Sequence, residues 1–162
     1  MKRRTALAIL LCLSAFLSCD RTSPDREPGI MPGDALPEFS VRTSAGRTVD
    51  NAMLSEGRAV ICLFHTLCGD CRRELPEIDM IHLLRPDVTV LAISRNEGEA
   101  SVSAYWKANG FTMEYSAQED DSVFRKFAPH TVPRVYVVSD GRITAAYTEK
   151  PVSAEELISA LK

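Results

Sequence analysis

Two cysteines separated by two residues, in the segment Cys68-Gly69-Asp70-Cys71, constrain the fold of this chain more than any other feature. The apolar run Ala59 to Phe64 precedes them and is typical of a central strand buried on both faces. The residues after them predict a helix that ends near Leu84. The pair therefore lies at a strand-to-helix junction, where free N–H groups and the positive end of the helix dipole favour the thiolate of Cys68.

Cysteines with this spacing either close a reversible disulfide ring or supply half of a zinc site. A zinc site needs further ligands, and the sequence contains neither a second C-x-x-C nor an H-x-x-x-H pair. We therefore expect no metal and no diffusible cofactor. Redox chemistry is favoured, with Cys68 as the attacking thiol and Cys71 as the resolving thiol.

Composition places the chain among ordinary globular proteins. Of its 162 residues, 45% are hydrophobic and 25% charged, which suits one domain with a modest core. The net charge of −3 falls to −6 without the first eighteen residues, which carry three basic residues and no acid. Because no basic stripe with interleaved aromatic residues occurs, we expect no nucleic-acid partner. We also expect a monomer.

The N-terminus has the pattern of an export signal. Lys2-Arg3-Arg4 is followed by the apolar run Ala6 to Leu17, which is too short for a comfortable membrane span. The segment then ends in Ser18-Cys19 and resembles a bacterial lipoprotein signal, although Phe16 stands where such signals usually have leucine. The resemblance implies cleavage before Cys19 and lipid on its sulfur. An uncleaved anchor helix or ordinary secretion remain alternatives.

Three regions follow from these patterns. Residues 1–18 are the predicted lipoprotein signal peptide, in which Cys12 is one of the hydrophobic residues. Residues 19–33 contain three prolines without apolar periodicity and are predicted to be a flexible tether. Residues 34–162 form the predicted domain. We expect it to face the periplasm from a lipid anchor in the bacterial cell envelope, where disulfides persist.

The domain alternates strands and helices. A short hairpin, over Pro37 to Val41 and Thr48-Val49, precedes the central strand, and the strand Asp87 to Ile93 completes a parallel β-α-β unit. Leu83 and Leu84 are expected to help pack the first helix. The remaining predictions are a helix over 99–109 stopped by Gly110, a short strand over 113–115, a short helix over 121–127, a hairpin over 134–138 and 142–147, and a last helix capped by Ser153 and Glu156.

This order is that of a thioredoxin fold. The segment Phe64 to Pro76 resembles the active-site segment of the TlpA/ResA-like membrane-anchored thiol-disulfide oxidoreductases, and Thr131-Val132-Pro133 is similar to their cis-proline loop. The resemblance implies an α/β thioredoxin-like fold, with a central mixed sheet flanked by helices and an N-terminal β-hairpin. It also implies an enzyme that exchanges disulfides with other proteins and is kept reduced by a membrane electron donor.

The family's residues carry over unevenly. Cys68, Cys71, Glu74 and Pro133 match, and the family pattern makes Pro133 part of the docking surface. Thioredoxins place a buried acid six residues before the first cysteine, but here that position is Cys62. Glu74, one helical turn after the second cysteine, is the candidate to accept the proton of the resolving thiol; the alternative is a solvated surface glutamate.

Leu67 and Asp70 depart from the family pattern, which has an aromatic residue and a proline at these positions. Since glycine adds no donor and an aspartate disfavours further negative charge, Gly69 and Asp70 between the cysteines favour a reducing potential and hence a reductase.

Other thiols and imidazoles leave two alternative functions open. Cys62 is expected to be a buried strand residue, with a third redox thiol as the alternative. His65 and His82 are assigned to packing or the surface. The first alternative function is a copper chaperone of thioredoxin fold, in which His130, Cys68 and Cys71 would bind the copper ion. A thiol peroxidase is the second alternative, although the Thr-x-x-Cys spacing of those enzymes is absent at Cys68.

Overall fold

The computed structural model describes residues 29–128, 130–148 and 150–162. The predicted signal peptide, Cys12, Cys19 and most of the predicted tether lie outside these residues. The strands are β1 (Ser40–Arg42), β2 (Thr48–Asp50), β3 (Arg58–Phe64), β4 (Val88–Ser94), β5 (Glu114–Ser116), β6 (Arg134–Ser139) and β7 (Arg142–Tyr147). The helices are α1 (Gly69–Leu84), α2 (Glu99–Asn109), α3 (Ser122–Phe127) and α4 (Ala154–Ala160). None of these helices is long and apolar enough to cross a membrane.

Five strands form a mixed sheet in the order β5-β4-β3-β6-β7. Strand β4 runs parallel to both β3 and β5, whereas β6 runs antiparallel to β3 and β7. The pair β1 and β2 forms a separate antiparallel hairpin at the N-terminal side. This arrangement confirms the predicted thioredoxin-like fold with its mixed central sheet, flanking helices and N-terminal hairpin.

The central strand β3 divides the core into two apolar layers, because successive side chains of a strand point to opposite faces. Cys62 and Phe64 pack with α1, α2 and α4 on one face. Ile61 and Leu63 pack with the hairpin and α3 on the other. Six of the seven residues of β3 are buried, as expected for the predicted central strand. The dithiol therefore follows the most enclosed strand of the sheet.

Helix α1 places the two cysteines on one rigid element. Its buried apolar residues recur at Cys71, Leu75, Ile78 and Ile81, and the next position in this spacing, 85, lies beyond the last helical residue, Leu84. Leu83 and Leu84 therefore point away from the core and are 64% and 56% exposed, so the expectation that they pack the helix is wrong.

The end of the predicted tether lies against the domain. The N–H of Ile30 donates to the carbonyl of Phe127 at 3.0 Å, and the N–H of Gly33 donates to the carbonyl of Ile143 at 2.8 Å. At the other terminus, α4 begins with the predicted capping box, in which Ser153 and Glu156 exchange hydrogen bonds.

Candidate active site

Cys68 is the N-cap residue of α1, with an extended backbone (φ −79°, ψ 121°) and a half-buried side chain. Its Sγ accepts a hydrogen bond from the N–H of Cys71 at 3.4 Å. The same sulfur lies 3.6 Å from the carbonyl oxygen of Val132. The sulfur at the N-cap thus accepts from the first turn of α1, and its thiol donates to the carbonyl of Val132.

Cys71 is buried one turn into the helix. Burial raises its pKa well above that of an ordinary thiol, and the hydrogen bond with Cys68 and the charge of Glu74 raise it further. The backbone N–H of His65 acts in the opposite direction but does not outweigh them. Cys71 therefore stays protonated at neutral pH and can attack only if a base takes its proton.

Glu74 supplies a carboxyl group next to this thiol. It is only 1% exposed, and its Oε1 accepts the N–H of Val152 at 2.8 Å. Burial raises the pKa of Glu74 to about 7, while the Val152 hydrogen bond acts to lower it. This burial rules out the alternative of a solvated surface glutamate. A carboxyl group that titrates near neutral pH can both accept and return a proton.

Cys62 lies in β3 on the face that packs against α1 and is fully buried. Burial raises its pKa well above the ordinary value, and the charge of Glu74 raises it further. Cys62 is thus a neutral apolar side chain, as expected from the sequence. The acid of this site comes from α1 and not from β3.

Pro133 lies in the loop between α3 and β6, and the Val132–Pro133 peptide bond is cis. The Val132 carbonyl beside the Cys68 sulfur belongs to the same loop. A groove of about 250 Å³ runs along it, lined by Asp70, Thr131, Val132, Pro133, Thr148, Lys150 and Pro151. The structure therefore brings Cys68, Cys71, Glu74 and the Pro133 loop together at one end of the sheet.

Charged side chains around the dithiol are partly neutralised. Arg73 forms an ion pair with Asp70. Arg72 donates from Nε to the Thr66 carbonyl at 2.6 Å. Leu67, which immediately precedes the first cysteine, is 76% exposed.

A second buried carboxylate, which the sequence analysis missed, lies behind the loop before Cys68. Glu97, at the turn after β4, is 6% exposed and accepts the Thr66 N–H at 2.8 Å. Burial acts to raise the pKa of Glu97, but hydrogen bonds from Thr66 and Ser101 outweigh it and hold the pKa below its usual range. The position of Glu97 just after the predicted strand β4 could have indicated that it lies near the dithiol. The carboxyl ends of the parallel strands β3 and β4 meet at one edge of the sheet.

The histidines do not complete a metal site among the residues that the structure describes. No group of three histidine, cysteine or acidic side chains there is placed to hold a metal ion, and Cys68, Cys71 and His130 are not brought together as such a group. The side chain of His130 is exposed, and its carbonyl accepts from Arg95 at 2.7 Å. His65 and His82 are half-buried.

Solved structures of similar fold support the architecture. The thioredoxin domain of a thiol-disulfide oxidoreductase from Bacteroides vulgatus gives a TM-score of 0.71 at 15% identity and covers 82% of this chain and 99% of that chain. A secreted Mycobacterium tuberculosis disulfide oxidoreductase homologous to E. coli DsbE gives a TM-score of 0.67 at 19% identity and covers 76% of this chain and 94% of that chain. StoA from Bacillus subtilis gives a TM-score of 0.68 at 18% identity and covers 80% of this chain and 100% of that chain. At these identities the likeness shows the fold.

The names of these proteins agree with the predicted class of enzyme, a protein thiol-disulfide oxidoreductase. No protein of curated function matches the chain significantly. A sequence profile of the AhpC/TSA family matches residues 32–146, which is well over half of the chain and includes the dithiol, Glu74 and the Pro133 loop. The chain therefore belongs to the AhpC/TSA family.

Proposed function

We propose that this protein is an extracytoplasmic thiol-disulfide oxidoreductase of the TlpA/ResA-like type, which reduces disulfides in other proteins. The observation that carries the proposal is the arrangement at the start of α1. A half-buried Cys68 sulfur receives the Cys71 N–H, while the buried Cys71 thiol lies beside a carboxyl group whose pKa is raised to about 7. This arrangement separates an attacking thiolate from a protected resolving thiol.

The first step is attack on the substrate disulfide. The Cys68 thiolate forms a bond to one substrate sulfur, the substrate S–S bond breaks, and the other substrate sulfur leaves as a thiolate that takes up a proton. The product is a mixed disulfide between Cys68 and the substrate. The groove beside Val132 and Pro133 holds the substrate chain. The exposed side chain of Leu67, next to Cys68, provides apolar contact.

The second step releases the substrate. Glu74 accepts the proton of the Cys71 thiol, and the resulting thiolate attacks the Cys68 sulfur. The mixed disulfide breaks and the second substrate sulfur leaves as a thiolate, which takes up the proton that Glu74 had accepted. The substrate is then a dithiol, and Cys68 and Cys71 form a disulfide. Two electrons have then passed to the substrate, so a membrane electron donor must return two electrons and two protons before the next cycle.

The trapping experiment tests this reaction. We expect a Cys71→Ser variant to accumulate the mixed disulfide, because the resolving thiol is absent, and to be recovered covalently bound to its substrate proteins. A Cys68→Ser variant is the matched control and should capture none, since a serine hydroxyl does not attack a disulfide. Non-reducing electrophoresis followed by mass spectrometry identifies the captured proteins. Equal capture by both variants, or capture by neither, would contradict the proposal.

The proposed location is the outer side of a bacterial membrane, with lipid on Cys19 and the domain facing the periplasm. Supporting observations are the N-terminal pattern of basic and apolar residues before Cys19 and the secretion of a protein of the same fold. We expect Cys19→Ala to release the protein from membranes or to block signal processing, as measured by fractionation and by the mass of the N-terminal peptide. Normal processing with unchanged membrane association would exclude the lipid anchor.

A further inference from the structure

Glu97 uses both of its carboxylate oxygens on groups near the dithiol. Oε2 accepts the backbone N–H of Thr66 at 2.8 Å. Oε1 accepts the hydroxyl groups of Thr66 and of Ser101, the latter at 2.9 Å. A buried carboxylate with three donors is held in one position, because breaking any of these bonds would leave a buried charge incompletely solvated. The turn after β4 is thus fastened to the loop that leads into Cys68.

The loop is held from its other side as well. The Thr66 carbonyl accepts Nε of Arg72, the residue that follows Cys71, at 2.6 Å. The N–H of Cys68 donates to the carbonyl of His65 at 3.0 Å, which closes the turn. Thr66 is therefore bound on both sides: its N–H and hydroxyl donate to Glu97, and its carbonyl accepts from Arg72. These bonds restrict rotation of the peptide groups before and after Thr66.

We propose that Glu97 is a positioning residue, which sets the orientation of the Cys68 sulfur through Thr66. This inference rests on the proposed dithiol chemistry, in which the Cys68 thiolate must lie in line with the disulfide it attacks. The hydrogen bonds of the carboxylate supply the effect. A misplaced reacting atom is costly even when the shift is small.

Asp79 provides a matched control for a merely structural role. It is also a buried carboxylate, on α1, and accepts the N–H groups of Thr112 at 2.9 Å and Met113 at 2.7 Å and the Thr112 hydroxyl at 3.2 Å. These donors belong to the segment between α2 and β5, not to the loop before Cys68. Loss of the two carboxylates should therefore affect stability alike but the dithiol differently.

The experiment compares the full-length reduced protein with its Glu97→Ala, Glu97→Gln and Asp79→Ala variants. The readouts are the rate of Cys68 alkylation by iodoacetamide, followed by mass spectrometry, and the dithiothreitol equilibrium of the Cys68–Cys71 disulfide. We expect Glu97→Ala to slow alkylation about tenfold and to change the equilibrium. Glu97→Gln should stay within about twofold of the wild type, because its amide oxygen still accepts the Thr66 N–H. Asp79→Ala should leave both readouts unchanged.

Thr66→Val keeps the test decisive if Glu97→Ala does not fold. It removes the hydroxyl bond but keeps the N–H bond, and we expect alkylation to slow about threefold. The inference is overturned if Glu97→Ala, or Thr66→Val in its place, changes the readouts no more than Asp79→Ala. It is also overturned if Glu97→Gln falls as far as Glu97→Ala, since charge and not hydrogen bonding would then be the cause. A wild-type protein that forms no Cys68–Cys71 disulfide would instead refute the proposed function, while the alkylation rates would still measure the effect of Glu97.

Discussion

The Cys68–Cys71 pair is expected to equilibrate at a reduction potential of roughly −270 mV, as thioredoxin does, about 150 mV below the strong oxidant DsbA. Strong oxidants stabilise the reduced form with groups that favour the thiolate. Here Gly69 contributes no side chain, and Asp70 carries a negative charge that Arg73 balances in an ion pair. The N–H of Cys71 and the helix dipole remain as stabilising groups, and the dipole contributes about 0.3–1 kcal/mol. The difference of about 150 mV corresponds to about 7 kcal/mol, which these groups do not supply.

Equilibration in dithiothreitol and glutathione buffers measures this potential. Asp70→Asn should make the pair more oxidising and Arg73→Gln more reducing, each by roughly a few tens of millivolts at most, because both side chains are exposed. A value near −120 mV would reverse the direction proposed for the enzyme.

Replacement of Glu74 by glutamine is expected to stabilise the protein increasingly as the pH rises from about 4.5 to about 7. Below this range the carboxyl group is protonated in both the folded and the unfolded protein. Within it the unfolded chain loses the proton first, because burial raises the folded-state pKa from 4.5 to about 7. The free energy of unfolding of the wild type therefore falls as the pH rises through this range. The total loss reaches about 3 kcal/mol above pH 7. Glutamine cannot ionise, so the variant avoids this loss.

Urea unfolding of both proteins at several pH values between 4 and 8 measures the difference. Glu77→Gln is the matched control. Glu77 lies on the same helix as Glu74 and accepts the N–H of Ala154 at 2.8 Å, but its side chain is only half-buried. It should not reproduce the pH-dependent gain. A constant difference between Glu74→Gln and wild type across the range would show that Glu74 titrates normally. The same variant should slow release of the mixed disulfide, because it removes the group that we propose accepts the proton of Cys71.

Much of the fold could be predicted because its boundaries depend on local chemistry. Helix α2 spans the predicted residues and ends at Gly110, whose positive φ of 68° suits glycine. The last hairpin turns at Asp140-Gly141, and the last helix starts at its capping box. The cysteine pair was equally local, since its spacing and its place before a helix are visible in the sequence.

Tertiary contacts explain what could not be predicted. The function of Glu97 as an acceptor depends on Thr66, which is 31 residues away and meets it only after β3 and β4 have paired. The burial of Glu74 depends on the segment before α4, where the N–H of Val152 donates to its carboxyl group. Leu83 and Leu84 are apolar and were expected to pack in the core, but they lie outside the spacing of the buried face of α1 and are exposed. Apolar periodicity predicts that a helix has a buried face, not where that face ends.

The acid of this site reaches the dithiol from α1, while the strand position facing it holds Cys62. The helix and the strand are therefore alternative positions for a single negative charge. A chain with an acid at both would enclose two like charges in one apolar space, and a chain with an acid at neither would have no base for its resolving thiol. A change from an acid on the helix to an acid on the strand requires substitutions at both positions. Positions 62 and 74 are therefore expected to covary among relatives of this chain.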